Sequence, residues 1–404
     1  MTAVMQGVRV LEVAEHTFVP AASALLADWG AEVVKIEHVE RGDAMRGLAS
    51  SGTVNLGTQV HVLLEHSNRG KQSLGLDLTS DEGLDILYRL AATCDVFLTN
   101  KLPGVRQKLK IDVDDIRAHN PNIVYVRGSG QGSRGPEAGR GSYDALGYWA
   151  RSGIAMGMKQ ATYDYVPGPP APAFGDSIGA MTIAGGIMGA LFHRERTGEG
   201  TTVDVSLLGV GLWSMGAAVA LSLQHQVGWA PPPPNMPGNP LVAVYATSDG
   251  KYINLCCLQA GKYWAEACHT VGRPDLADDP RFADDAAIRE NLTDAAAELR
   301  ATFATRTAAE WRAAFDGFSG QWTMVQDTLE AAADPQAVAN GYIQELENAD
   351  GVAFKLAAAP VEYGGEAPKP KRAPDFNEHG DDILAGLGLD EEAILDLKIK
   401  GVVA

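Results

Sequence analysis

Residues 8–37 read VRVLEVAEHTFVPAASALLADWGAEVVKIE, and this stretch decides the fold. Val8–Val13 is a short apolar run of strand length. Pro20 suits a first helical turn, where its missing N–H has no partner to lose, and Ala21–Trp29 continues as helix. Gly30 stops that helix, and Glu32–Glu37 is a second strand rich in Val and Ile. Strand, helix and strand in so short a span indicate a parallel βαβ unit, and with it an α/β fold on a parallel sheet. The turn Ala14-Glu15-His16-Thr17-Phe18-Val19 contains no glycine. The close backbone approach to a pyrophosphate is therefore missing, which excludes NAD or FAD binding by that route, with Glu37 on a ribose.

Working outward, Leu74–Leu78, Asp95–Leu98, Ile123–Val126 and Thr201–Ser206 read as further strands. Asp81–Thr93 reads as an amphipathic helix. The loops carry cations: Arg41-Gly42-Asp43, Asn68-Arg69-Gly70-Lys71, and Asn100-Lys101 with Lys108 and Lys110 after it. The segment Arg127–Gly141 holds six glycines. In an open parallel sheet, ligands bind beyond the carboxyl ends of the strands, so these loops point to a phosphate-bearing ligand. Pro231–Pro240 is a stiff linker. Beyond it Val242–Thr247 and Tyr252–Cys257 form a hairpin with an Asp249-Gly250 turn, followed by helical runs. The organisation expected is a large domain over residues 1–225, a smaller α+β domain over 226–330, and a linker with a C-terminal return over 331–404.

A net charge of −18 argues against nucleic acid and anionic membranes as partners. Four cysteines without zinc spacing imply reduced thiols, no metal, and a cytoplasmic protein. The N-terminus shows no signal-peptide succession. Leu207–Leu223 is uncharged and apolar, and it reads as a buried core helix, so no membrane association is expected.

Pro169-Pro170-Ala171-Pro172-Ala173-Phe174-Gly175-Asp176 leads into an apolar helical pattern that Gly198 can close. Asp176 stands where an N-cap belongs. Two readings of it are open: a cap, or a carboxylate nucleophile kept ionised by free amides and the helix dipole, with Gly175 allowing close approach.

The chain resembles the family III CoA-transferases, the group that includes formyl-CoA transferase, carnitine CoA-transferase and 2-methylacyl-CoA racemase. The residues that carry the resemblance run from Gly7-Val8-Arg9-Val10-Leu11-Glu12 through Gly30-Ala31-Glu32-Val33-Val34-Lys35-Ile36-Glu37, Gly42-Asp43 and Asn68-Arg69-Gly70-Lys71-Gln72-Ser73. They continue with Asp95-Val96, Gly175-Asp176, Arg196-Thr197-Gly198-Glu199-Gly200, Asp279-Pro280-Arg281-Phe282 and Glu378-His379-Gly380. Their number, order and spacing make the likeness specific.

The resemblance implies a Rossmann-like large domain, a smaller domain and an interlocked homodimer. It implies an acyl-CoA:carboxylate CoA-transferase, with acyl-CoA and a free carboxylic acid as substrates and coenzyme A as co-substrate. Asp176 would be the nucleophile, supported by Gly175, Tyr143 and Asp144, and would pass through an aspartyl-CoA thioester. Binding of coenzyme A would fall on Thr17, Phe18, His38, Leu76, Asp77, Leu78, Thr79, Asn100, Lys101, Lys108, Arg140 and Tyr143.

The racemases carry a histidine where this chain has Tyr143. A phenol is a poor base near neutral pH, which favours transfer over racemisation. The first turn has Thr17 where the formyl-CoA enzyme has a glutamine, which disfavours oxalate or formate. The glycine-rich cover loop of these transferases has its nearest counterpart in Asn235-Met236-Pro237-Gly238-Asn239. The alternatives are a 2-methylacyl-CoA racemase or epimerase and a non-catalytic acyl-CoA-binding protein.

Overall fold

The computed structural model describes residues 2–51, 54–56, 59–233 and 237–404. Six strands form one sheet: β1 (Arg9–Val13), β2 (Glu32–His38), β3 (Gln72–Leu76), β4 (Val96–Thr99), β5 (Val124–Ser129) and β6 (Thr202–Ser206). Their order is β3-β2-β1-β4-β5-β6 and every pairing is parallel. The chain winds outward from β1 to β3, then returns to lay β4 against the free side of β1. This is the doubly wound, Rossmann-like order, and it leaves a crevice at the carboxyl ends of β1 and β4, where the winding reverses.

Side chains alternate along the strands, as the period of two requires. Val10, Val33, Val96, Leu98, Val124 and Val126 face one core with α1 (Phe18–Asp28) and, further along the chain, α4 (Phe174–Thr197). Leu11, Val34, Ile36, Phe97 and Tyr125 face the other core. Between α1 and α4 in the chain lie α2 (Val62–Asn68) and α3 (Asp81–Ala91), and α3 covers that second face. Burial of both faces explains why Val96-Phe97-Leu98 and Ile123-Val124-Tyr125-Val126 read as continuous apolar runs. The helix α4 is long and apolar enough to cross a membrane by length and composition. Here its stripe Ala180, Ile183, Ala184, Ile187 and Leu191 is buried in the sheet core.

The Leu207–Leu223 run departs from its reading as one buried helix. It is two helices, α5 (Leu207–Ser214) and α6 (Gly216–His225), bent by 72° at Met215. Only Leu207, Val210 and Gly211 are buried, while Trp213 is 86 % and Leu223 68 % exposed. Lack of charge made the run look like core, but it has no single apolar face to bury.

The chain divides into two compact units. The first comprises 1–156, 167–229 and 335–404, and the second 157–166 and 230–334. In the second, β7 (Val242–Ala246), β8 (Tyr252–Cys256) and β9 (Trp322–Met324) make an antiparallel sheet in the order β9-β8-β7. Gly250, at φ +75°, closes the β7–β8 hairpin as its Asp-Gly sequence requires. Helices Ala260–Thr270, Leu292–Phe303 and Ala308–Ala314 pack Trp264, Leu299 and Trp311 into this unit's core.

The last stretch of the chain returns to the first unit and runs along β3. Asn377 Oδ1 accepts from Gly75 N at 2.9 Å, Val402 O accepts from Asp77 N at 2.8 Å, and Gly75 O accepts from Ala404 N at 3.2 Å. A Cβ on Gly75 would lie 2.8 Å from the Ala404 methyl carbon, so the strand is tailored to this cover. A sheet edge that would otherwise offer unpaired amides is thereby closed by the same chain.

Candidate active site

A buried ion cluster lies under the first turn. Glu12 on β1 and Lys35 on β2 are cross-strand partners, on the face covered by α1. Lys35 Nζ lies 2.7 Å from Glu12 Oε1 and 2.7 Å from Asp43 Oδ2, and Lys71 Nζ lies 2.7 Å from Glu12 Oε2. Burial pushes the Glu12 and Asp43 carboxyls up, but the adjacent lysines outweigh it and hold both below the usual range. Burial takes Lys71 down to about 7 against the attraction of Glu12. Asp43 Oδ1 accepts from His16 N at 3.0 Å, and His16 sits at φ +68°. A left-handed histidine is strained, and such strain persists only when its surroundings enforce it. The cluster thus sets the shape of the turn that enters the crevice.

One loop reading changes here. Asn68–Lys71 lies at the amino end of β3, and its cations are engaged inside the protein: Arg69 pairs with buried Asp28 at 2.8 Å, and Lys71 belongs to the cluster. Glu37 is spent inside the protein, accepting from Arg46 Nε at 2.7 Å and Ser73 Oγ at 2.6 Å.

The crevice is a cleft of about 950 Å³. The loop after β1 supplies Glu15 and His16, and the start of α1 supplies Phe18; the loop after β4 supplies Asn100 and Lys101; the glycine-rich segment after β5 supplies Arg134, with Tyr143 just beyond it; α4 supplies Asp176. Asn100 ties the first two loops together, its Oδ1 accepting from Glu15 N at 3.1 Å and its Nδ2 donating to Glu15 O at 2.7 Å. Lys101 and Arg127 are paired with Glu15 and Asp204, each at 2.7 Å. With Arg41 and Arg106 also on the wall, the cleft concentrates cations on an acidic protein. That is the arrangement that attracts a polyanionic ligand.

Asp176 is not the N-cap of α4. The cap position is Ala173, in a left-handed conformation and without a side-chain bond, and Asp176 is the third helical residue. The nearby amide is taken by another carboxylate: Gly175 N donates to Asp144 Oδ2 at 3.2 Å. The expectation that free amides keep Asp176 ionised is therefore corrected. Burial first, and the charge of Asp144 second, push its carboxyl up to about 7. Gly175 lets the ring of Tyr148 lie against the helix start, since a Cβ there would come within 2.5 Å of that ring.

Phe18 is held in the same manner. A Cβ on Gly179 would stand 2.3 Å from Phe18 Cε2, and one on Gly128 would stand 3.1 Å from Phe18 Cε1. Gly179→Val is expected to destabilise the fold by about 1–3 kcal/mol through overpacking. Gly185→Ala on the same helix, where nothing lies within 4 Å, is expected to gain up to about 1 kcal/mol of helix propensity. Thermal unfolding of the two variants, moving in opposite directions, checks this.

Of the residues singled out from the sequence, the cleft brings together Phe18, Asn100, Lys101, Tyr143 and Asp176. His38 and Leu76–Thr79 lie at the carboxyl ends of β2 and β3, on the same edge of the sheet but outside the cleft wall. Leu76 is buried, and Asp77 Oδ1 accepts from Thr79 N at 2.9 Å. Thr17 is buried under the first turn, Lys108 is exposed at the end of a short helix, and Arg140 pairs with Glu137. Asp144 and Gly175 stand behind Asp176. Asn235 and Met236, of the segment read as a cover loop, lie outside the described residues. Sequence reasoning misses Arg106, Arg127 and Arg134 as site residues; the glycine spacing around Arg127 and Arg134 is the available signal. Among the described residues, no group of three or more His, Cys, Asp or Glu side chains is placed to hold a metal ion.

Known proteins resemble this chain in sequence and in fold. The sequence model of CoA-transferase family III matches residues 5–380. The chain is 28 % identical to (R)-2-hydroxy-4-methylpentanoate CoA-transferase of Clostridioides difficile, covering 99 % of both chains. It is 28 % identical to cinnamoyl-CoA:phenyllactate CoA-transferase of Clostridium sporogenes, covering 98 % of this chain and 96 % of that one. Among solved structures it resembles a CAIB/BAIF family protein from Brucella suis, with a TM-score of 0.80 and 26 % identity over 96 % of this chain and all of the other.

Proposed function

The chain belongs to CoA-transferase family III, and from that premise we propose that it exchanges coenzyme A between carboxylic acids through a thioester on Asp176. The ionised carboxylate attacks the acyl carbon of the incoming thioester. The C–S bond breaks, giving an acyl-aspartyl anhydride and the coenzyme A thiolate. The thiolate attacks the aspartyl carbonyl and releases the first acid as its carboxylate, leaving aspartyl-CoA. The acceptor carboxylate repeats the sequence in reverse, and Asp176 is regenerated. No bond energy is lost to water provided the anhydride is shielded.

The observation that carries this reading is the position of Asp176. It is a half-buried carboxyl on the wall of a cationic cleft at the winding reversal of the sheet, with no internal hydrogen bond to occupy it among the described residues. The coenzyme would be held by Phe18, Asn100, Lys101 and Tyr143 in the cleft. His38, Leu76–Thr79, Lys108 and Arg140 would extend the contact along the same edge, with Thr17 fixing the first turn. The test is to incubate the protein with a CoA ester (succinyl-, cinnamoyl- or 2-hydroxy-4-methylpentanoyl-CoA) and then hydroxylamine. A hydroxamate mapped by mass spectrometry to Asp176 is expected. Turnover without any modification at that position overturns the reading.

A carboxyl raised to about 7 is largely protonated below that pH. Single-turnover acylation is therefore expected to rise about tenfold per pH unit below 7 and to level off above it. Asp144→Asn removes the second cause and leaves the first, so the midpoint is expected to move down without reaching the ordinary carboxylate value. Stopped-flow release of coenzyme A against pH reads both midpoints.

We further propose that the enzyme works as a cytoplasmic homodimer. Trp213, Leu223 and Val227, each more than two-thirds exposed, give a second copy an apolar surface to cover. Sedimentation equilibrium checks the mass.

A further inference from the structure

The start of α4 lacks a cap of its own, and this raises the question of what holds the nucleophile still. A helix end normally satisfies its free amides with a capping side chain. Ala173 cannot supply one, and it sits at φ +56°, a conformation unfavourable for an alanine. Two braces from elsewhere in the chain bear on this turn, one on an amide and one on a carbonyl. One is Asp144, on Gly175 N. The other comes from α2, and nothing in the proposed chemistry uses it. His66 Nε2 lies 3.2 Å from Ser177 Oγ. Ser177 Oγ in turn donates to Ala173 O at 3.0 Å, an oxygen that also accepts from Ser177 N at 2.9 Å.

The direction of this chain follows from proton counting. The Ser177 hydroxyl has one proton, and it goes to Ala173 O. With the hydroxyl proton on Ala173 O, which can only accept, the Ser177 oxygen accepts from the imidazole, and His66 is assigned the tautomer that carries its proton on Nε2. Burial pushes the His66 imidazole down to about 4, so a neutral single donor is the form present near pH 7. The relay imidazole–hydroxyl–carbonyl therefore pins the residue three places before Asp176 from one side, while Asp144 pins the residue next to Asp176 from the other.

We propose that His66 is a positioning residue for the nucleophile, acting through Ser177 and Ala173 to fix the first turn of α4. The inference rests on the reading of Asp176 as the group that takes the acyl chain. Misplacing a reacting atom by about 1 Å can cost on the order of 100-fold in rate while leaving distant substrate contacts intact. His66→Phe and Ser177→Ala are each expected to lower kcat about 10- to 100-fold, with KM for the CoA ester within about twofold of the parent. His66→Gln offers an amide N–H at similar reach and is expected to restore kcat to within about threefold. Both residues act in one relay, so the double variant His66→Phe/Ser177→Ala is expected to be no slower than the worse single variant.

The assay uses the CoA ester that the parent protein turns over fastest among the three named above, with the hydroxylamine adduct on Asp176 as a second readout. Ser177→Ala removes one oxygen and keeps the measurement available if His66→Phe does not fold. Unchanged kcat in Ser177→Ala, no rescue by glutamine, or additive losses in the double variant would each overturn the assignment. Absence of an Asp176 adduct in the parent itself would instead strike at the proposed function.

Discussion

Asp176→Asn and Asp176→Ala are expected to leave CoA exchange about 10,000-fold or more below the parent, with binding of the CoA ester retained. The carboxylate is the only group asked to carry the acyl chain, and neither an amide nor a methyl group can form an anhydride. Isothermal titration checks the binding and coupled spectrophotometry the rate. The same asparagine is expected to stabilise the fold. An aspartic acid free in the unfolded chain has a value near 3.8, whereas here it is raised to about 7. Between those values the folded state holds a proton that the unfolded state has released, so stability falls as pH rises through this window. The asparagine variant does not titrate. Its melting temperature is therefore expected to match the parent near pH 4 and to exceed it by a growing margin up to pH 8. A parent and variant with the same pH dependence of melting would show that Asp176 has an ordinary carboxyl.

The second large effect is on stability. Glu12→Ala is expected to cost about 3–5 kcal/mol, because it strands buried cations whose shared counter-charge was that carboxylate. Lys35 would keep Asp43 at 2.7 Å, but Lys71 would retain only the Pro20 and Asn68 oxygens, at 2.9 and 3.1 Å. A urea midpoint displaced by that amount, with an unchanged m-value, is the expected result. Glu12→Ala/Lys71→Met removes the stranded charge together with its partner and is expected to recover part of the loss. No recovery in the double variant would mean that the cost of Glu12→Ala lies in lost packing. The effect should also reach the cleft, because Asp43 holds both Lys35 and the backbone of His16.

The architecture was legible because its signals are local. Alternating Val10, Leu11 and Val13, the helix from Pro20 and the stop at Gly30 define the βαβ unit without reference to anything distant. Glu37, at the end of the second strand, is engaged with Arg46 and Ser73. What the sequence hid was pairing at long range. Lys35, Asp43 and Lys71 look like surface charges until β1, β2 and the loop before β3 place them around Glu12. Asp176 looked like a cap because caps are read from the residue before an apolar run. The helix in fact begins at Phe174, two residues before it, in a left-handed turn that an alanine does not announce. His66 gave no signal at all, since its partner Ser177 lies 111 residues away. The Leu207–Leu223 run misled for a different reason: absence of charge does not say what will cover a helix.

The cover of β3 by the end of the chain has a consequence for biosynthesis. Residue 76 leaves the ribosome 328 residues before residue 404, an interval of roughly 20–60 s at ordinary elongation rates. Through that interval the nascent sheet has an open flank, ready to add a strand from any neighbouring polypeptide. A truncation that stops translation early would not merely shorten the protein; it would leave that flank permanently sticky. Demand for a holding chaperone should therefore persist until residues 402–404 emerge.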